Sequence, residues 1–302
     1  MLGPQQGNFK TVLDSLEDLV SEGLGTEYEI TMEAKKVDRF TGYRSFKRRL
    51  ESGQPDIVVL MDNRTIDLYK QYQQENRGKV SFPPTIVCMA VFVEESIIGL
   101  EKVMGVNYEV PIVTTVGRLR SHVNLPIKRI GVLYRNVPGF RYFLDRQQEF
   151  TDRENFQLVT LGIEPVQDSS DWAEQVVKGL RFLIHEEQVD AIWALNDSTL
   201  INDNPRIQSA WLEQLEDFDK PVIVNVENFI DPQFGTYGAL PDHEEIAAQV
   251  ADFIENILNE EVKKDRVEDP RSLRLWVIDK PYLHEKSHNE IEKLIPDKRR
   301  RN

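Results

Sequence analysis

The stretch His284-Glu285-Lys286-Ser287-His288 matches a catalytic signature by type and spacing. On a helix, HExxH sets two imidazoles on one face, where they bind zinc with the glutamate as general base. Such a site also needs a third ligand and a buried helix. Here the neighbours are charged, and Glu290, Glu292 and Asp297 lie close by in sequence. The stretch therefore reads as part of a solvated helix, and no metal is expected. His122, His185 and His243 are scattered. No GxGxxG, Walker A or GxSxG string occurs, which removes the commonest nucleotide and serine-hydrolase fingerprints. Neither a cofactor nor an enzymatic activity is expected.

A second kind of chemistry recurs along the chain as polar or aromatic residues placed at or just beyond the ends of apolar, β-prone runs. Asp62 follows the run 55–61, Phe92 and Glu94 follow 85–91, and Tyr134 and Asn136 end the run 128–136. Asn196, Asp197 and Ser198 follow 189–195, Asn225 lies near the end of 221–226 with Glu227 and Asn228 just beyond it, and Asp242 follows 234–240. Gln5 sits in the loop before the first helix. Open α/β sheets bind ligands beyond the carboxyl ends of their strands, so these residues form a candidate ligand-binding set. Short polar groups orient a ligand's polar ends, while aromatics such as Phe92 and Phe229 cover its apolar part. Asn and Asp are equally ordinary N-caps and turn formers, and either role suits them.

The elements that must position this set alternate. Lys128-Arg129-Ile130-Gly131-Val132-Leu133-Tyr134-Arg135-Asn136 is a buried parallel strand by composition. After it come a helix over 140–156, a strand over 157–162, a helix over 171–187 and a strand over 189–195. Ahead of it, 8–22 carries Phe9, Val12, Leu13, Leu16, Leu19 and Val20 at helical spacing. A strand is expected over 27–32, helices over 43–50 and 63–75, strands over 55–61 and 85–91, and a short helix over 94–100. Residues 104–124 bridge two halves, with Gly105-Val106-Asn107 read as loop and 110–123 as helix. Farther on, a helix over 200–218 is interrupted at Pro205, and strands at 221–226 and 234–240 precede a helix over 242–258. A strand over 273–278 and a helix over 284–294 complete the order. This βαβα succession is the mark of two doubly wound, Rossmann-like α/β lobes. A lobe of this type opens with a strand, yet residues 1–7 read as loop, so a first strand and a signal segment are expected upstream of Met1.

The 302 residues are 40% hydrophobic and 29% charged, an ordinary globular balance, and carry a net charge of -14. That charge speaks against nucleic acid as a partner, and Lys298-Arg299-Arg300-Arg301 is too short and terminal to reverse it. Cys88 is a lone cysteine in an apolar run and cannot form an internal disulfide. No stretch approaches the length of a membrane-spanning helix.

The order of elements and several local strings resemble the bacterial ABC-transporter substrate-binding family that includes the tryptophan- and tyrosine-binding lipoproteins, built on the type I periplasmic-binding-protein fold. The strings are Gly105-Val106-Asn107 and the helix after it, residues 128–134, DAIWALNDS at 190–198, residues 221–228, GTYGALPD at 235–242, and residues 275–280. Together they extend over nearly the whole chain. The resemblance implies two lobes joined by three crossovers, residues 1–124 plus about 242–270 and residues 125–241 plus about 271–302, with a small ligand held in the cleft between them and enclosed by hinge closure. It also implies an extracytoplasmic protein, free or membrane-anchored, whose partner is a membrane permease, or a sensor protein if the chain is the ligand-sensing domain of a signalling system. One departure stands out. Relatives carry a Ser or Asp-Pro turn after the fourth strand, where this chain has Val91-Phe92-Val93-Glu94-Glu95-Ser96. An aromatic and two carboxylates there disfavour a free α-carboxylate as the ligand's main handle and favour a cationic, amino-bearing or neutral ligand; Glu94 and Glu95 are equally well placed as first-turn acids on a helix dipole.

Overall fold

A computed structural model describes residues 1–23, 28–38, 40–166, 169–202, 204–260, 266–278 and 280–284. In chain order the elements are β1 (Leu2–Gly3), α1 (Asn8–Glu22), β2 (Lys35–Lys36), α2 (Tyr43–Gly53), β3 (Val58–Met61), α3 (Asn63–Asn76), β4 (Thr85–Cys88), α4 (Val93–Ser96) and β5 (Val103–Val106). There follow α5 (Ile112–His122), β6 (Arg129–Arg135), α6 (Pro138–Thr151), β7 (Gln157–Ile163), α7 (Ser169–Arg181), β8 (Ala191–Ala194), α8 (Pro205–Leu215), β9 (Val222–Val224) and β10 (Tyr237–Pro241). The last are α9 (His243–Leu258), β11 (Arg266–Glu268) and β12 (Leu273–Val277). No helix among the described residues is long and apolar enough to cross a membrane.

The chain forms two compact units, Met1–Glu109 with Pro241–Leu273, and Val110–Leu240 with Arg274–Asn302. The sheet of the first unit runs β11-β5-β4-β3-β1-β2 and that of the second β12-β10-β9-β8-β6-β7. Successive strand side chains point to opposite faces, so a strand buried on both sides is apolar throughout. In β3, Val59 and Met61 pack with α1 (Val12, Leu16, Val20) and α9 (Ile246, Val250, Phe253). Val58 and Leu60 face Phe46 and Leu50 of α2 and Ile66 and Tyr69 of α3. In the second unit, Ile192 and Ala194 of β8 pack against Val176 and Leu180 of α7 and Ile207 and Trp211 of α8. On its other face Trp193 meets Phe143 of α6, ring centroids 5.7 Å apart.

Several expectations need correction. A first strand is present: β1 pairs with β3 through Leu2 and Leu60 and with β2 through Leu2 and Lys35. Two residues are too few to show an alternating pattern, which is why the stretch resembles a loop. Residues 28–34 form no strand although Tyr28, Ile30 and Met32 alternate; Ile30 and Met32 pack on the α1–α9 core, and the ladder is made by Lys35 and Lys36. Gly105 and Val106 lie in β5 and not in a loop. Glycine is required there because a Cβ would stand 2.7 Å from Val93 Cγ1 and 3.1 Å from the Val87 carbonyl oxygen. Pro205 opens α8 instead of interrupting it, since the first helical position needs no N–H and Asn204 supplies the cap. Helix α5 belongs to the second unit, whereas the resemblance places the bridging segment through residue 124 in the first lobe. The helix over 284–294 and all of HExxH except His284 lie outside the described residues.

Candidate functional site

In each unit the candidates gather at the carboxyl ends of the strands. In the first unit Asp62 leaves β3 at φ 95°, and its carboxylate caps α3 by accepting the Thr65 N–H at 2.8 Å. Burial raises the Asp62 pKa above the usual carboxylate value. Beyond β4 the chain turns through Met89 at φ 55° and Phe92 at φ 53°. Both are conformations in which a side chain carries a steric cost. Asn63 pins this turn: its Oδ1 accepts the Val91 N–H at 2.9 Å and its amide donates to the Val91 carbonyl at 2.6 Å and to Ser96 Oγ at 3.0 Å. The Phe92 N–H donates to Glu109 Oε1 at 2.7 Å. Phe92 and Glu94 are half-buried, and Glu94 and Glu95 occupy the first turn of α4. Gln5, also half-buried, follows β1. Asp62, Phe92 and Glu94 thus lie at the ends of two paired strands.

Beyond β5, Asn107 donates its amide to Asp269 Oδ1 at 2.9 Å, and the Tyr108 hydroxyl lies 3.1 Å from His243 Nε2 with the two rings stacked. Burial pushes the Glu109 carboxyl up to about 8, and the neighbouring charges of Glu95 and Asp269 add to the rise. Sequence reasoning misses Glu109. Had Gly105 and Val106 been recognised as the end of a strand, the rule that selects the other candidates would have reached Asn107, Tyr108 and Glu109.

In the second unit the Tyr134 ring lies over its register partner Gly162, where a Cβ would stand 3.1 Å from the phenol oxygen. The Asn136 N–H prolongs the ladder to the Ile163 carbonyl at 2.8 Å, and its amide donates to Glu164. Asp197 is buried. Its two oxygens accept from Arg135 Nε at 2.9 and 2.7 Å, and Oδ1 also accepts the Thr199 N–H at 2.8 Å. Asn225 bridges three strands: Oδ1 accepts Trp193 Nε1–H from β8 at 2.6 Å and the amide donates to the Ala239 carbonyl of β10 at 2.9 Å. Asn196 is half-buried, Ser198 and Asn228 are exposed, and Glu227 opens a single 3₁₀ turn, Glu227–Phe229. Asp242 caps α9, its Oδ1 accepting the Glu244 N–H at 3.1 Å while its own N–H donates to the Ser272 carbonyl at 3.0 Å.

The candidates thus divide by what their side chains do. Asp62 and Asp242 cap helices, and Asp197 and Asn225 tie neighbouring strands together. The side chain of Asn196 has no hydrogen-bond partner among the described residues, which leaves its amide available to a ligand. Among the described residues no group of three or more His, Cys, Asp or Glu is arranged to hold a metal ion.

No family model matches the chain, and no curated protein does. Solved structures do match. A substrate-binding protein with adhesive properties from Clostridium difficile, in its ligand-free open form, aligns with a TM-score of 0.63 at 14% identity over 98% of this chain and 95% of that one. An ABC domain from Streptococcus pneumonia in complex with L-Trp gives 0.60 at 14% identity over 96% and 92%. An arabinose-binding protein from Geobacillus stearothermophilus gives 0.59 at 9% identity over 98% of each chain, and the transcription regulator CcpA of Lactococcus lactis 0.53 at 12% identity over 94% and 98%. With two α/β units, each around a mostly parallel six-stranded sheet, the chain has a type I periplasmic-binding-protein-like fold.

Proposed function

We propose that the chain is an extracytoplasmic solute-binding protein of the tryptophan- and tyrosine-binding lipoprotein kind. It captures a small organic molecule, amino-acid-like or another small metabolite, at its strand ends and presents it, without catalysis, to an ABC-transporter permease. The observation that carries this reading is the rim beyond β3 and β4, where Asp62, Met89 and Phe92 all have positive φ and Asn63 and Glu109 hold the turn. Strained backbone persists where its surroundings over-determine it, and it concentrates at ligand clamps. The L-Trp complex and the arabinose-binding protein of the same fold support a small-molecule ligand. The charges felt by Glu109 are both carboxylates, which supports a cationic, amino-bearing or neutral ligand on this rim. A regulator of the same fold supports a second reading, a ligand-sensing domain.

A thermal-shift screen against amino acids, amines, purines and monosaccharides tests the proposal, because a ligand that binds only the native state raises Tm by mass action. One class should raise it in a concentration-dependent way. Phe92→Ala and Asn196→Ala should then weaken that ligand by roughly a few-fold to a hundred-fold, with Glu285→Ala unchanged. Two natively folded rim variants that bind like the parent would remove the site from these strand ends. Transport and sensing separate in a deletion strain: loss of ligand uptake supports the first, and normal uptake with lost ligand-dependent expression the second.

A further inference from the structure

Within a chain of net charge -14, residues 35–50 hold seven Lys or Arg against one Asp. The segment comprises β2, the turn after it and most of α2. It is one packed piece, since Lys35 Nζ donates to the Arg49 carbonyl at 2.9 Å and to Ser52 Oγ at 3.3 Å. Strand β2 is the edge of its sheet. Lysines on an edge strand guard against strand-to-strand aggregation, which accounts for Lys35 and Lys36 and for nothing on α2. Arg44 and Arg48 are exposed one helical turn apart, and neither has an ion-pair partner among the described residues. Like charges at that spacing disfavour the helix, so their placement needs another explanation. The Lys36–Asp38 and Lys47–Glu51 pairs are loose, each at 3.8 Å.

Amid these cations stands Phe40, 79% exposed, the most exposed large apolar side chain among the described residues. Its turn is fixed. The Phe40 N–H donates to Asp38 Oδ1 at 3.1 Å, the Thr41 hydroxyl to the same oxygen at 3.0 Å, and the Thr41 N–H to the Asp38 carbonyl at 2.9 Å. Arg64 of α3 donates to the Thr41 carbonyl at 3.2 Å and brings a further exposed cation to the turn.

We propose that this β2–α2 edge is a docking surface for an anionic lipid bilayer, with Phe40 entering the interface and Lys36, Arg44, Lys47, Arg48 and Arg64 lying at the headgroup level. A protein partner would offer a concave pocket for a buried anchor, whereas a single exposed aromatic on a fixed turn, with cations on either side of it in the chain and Arg64 bonded to the turn, matches the amphipathic chemistry of the bilayer interface. The acidic remainder of the chain does not cancel the patch, because exposed charges are screened beyond about 8–10 Å at physiological salt. Docking of this kind is independent of ligand capture.

Co-sedimentation of the whole chain with vesicles of 30% phosphatidylglycerol in phosphatidylcholine, against phosphatidylcholine alone, tests it. Binding should appear only on the anionic vesicles and disappear at high salt. Each cation near the surface contributes about five-fold, so Arg44→Gln/Lys47→Gln/Arg48→Gln should weaken partitioning on the order of 100-fold. Phe40→Ser should weaken it by roughly ten-fold. Lys178→Gln, on α7, should leave it unchanged. Circular dichroism and Tm establish that the variants fold. Equal binding to both vesicles, binding to neither, or full binding by the folded triple variant would each overturn the proposal; patch-dependent binding to polyglutamate without vesicle binding would also overturn it and assign the face to an acidic polypeptide.

Discussion

Replacing Glu109 by Gln should make the protein more stable at alkaline pH and leave it unchanged at acidic pH. Burial lifts the Glu109 carboxyl to about 8, against an ordinary 4.5. The folded state therefore holds this proton more tightly than the unfolded chain. Between about pH 4.5 and 8 the unfolded state sheds it first, so the stability of the parent falls as pH rises through that window and levels off above it. A tenfold change in proton affinity corresponds to about 1.4 kcal/mol, which sets a ceiling near 5 kcal/mol, and the partial exposure of Glu109 reduces the expected effect to about 2–3 kcal/mol. Glutamine keeps a carbonyl oxygen for the Phe92 N–H and cannot ionise. Urea unfolding of parent and variant at pH 5, 7 and 9 isolates the contribution of this carboxyl and of its coupling to Glu95 and Asp269, because the titrations of groups distant from it cancel in the difference. The difference should be under about 1 kcal/mol at pH 5 and grow to its full value by pH 9. A pH-independent difference would refute a carboxyl whose proton is held by desolvation at this position.

The Arg135–Asp197 pair, whose carboxylate side chain is 1% exposed, should be costly to break from one side. Asp197→Ala should lose about 3–5 kcal/mol in urea unfolding, and Arg135→Met/Asp197→Leu should lose less than that single change. Gly105→Ala should cost about 1–3 kcal/mol through the clash with Val93, and adding Val93→Ala should recover part of it; a neutral Gly105→Ala would show that α4 sits farther from β5.

The succession of strands and helices is legible because α/β sheets bury strands on both faces and helices on one, and the two periodicities differ. β3, β8 and β9 stand out as unbroken apolar runs, and β4, β6 and β7 as mostly apolar ones. β1 and β2 do not, since two-residue strands are specified by their neighbours' ladders and carry no pattern of their own. β5 is hidden by its glycine, a residue that ordinarily announces a turn and here makes room for Val93. β11, as Arg266-Val267-Glu268, is an edge strand half open to solvent and looks like any charged loop. At the candidate site, sequence locates the strand ends but assigns no work to each side chain. Asp62 caps, Asp197 pairs with an arginine and Asn225 stitches strands, and only coordinates separate these roles from ligand contact. The proton on Glu109 is illegible for the same reason, because desolvation is a property of the surroundings.

The discontinuous make-up of the first unit has a consequence for biosynthesis. Its α1 face, Val12, Leu16 and Val20, is covered in part by Ile246, Val250 and Phe253 of α9, which follow the whole intervening part of the second unit in the chain. At about 5–20 residues per second, a ribosome needs roughly 10–50 seconds to supply that cover. Through that interval the nascent chain carries an open apolar helix face and a sheet without β11, while the first part of the second unit is already assembling. Chaperone engagement is accordingly expected to fall between the emergence of α1 and that of α9, and ribosome-bound chains arrested before residue 243 should be far more open to protease at α1 than chains arrested after α9 has left the exit tunnel.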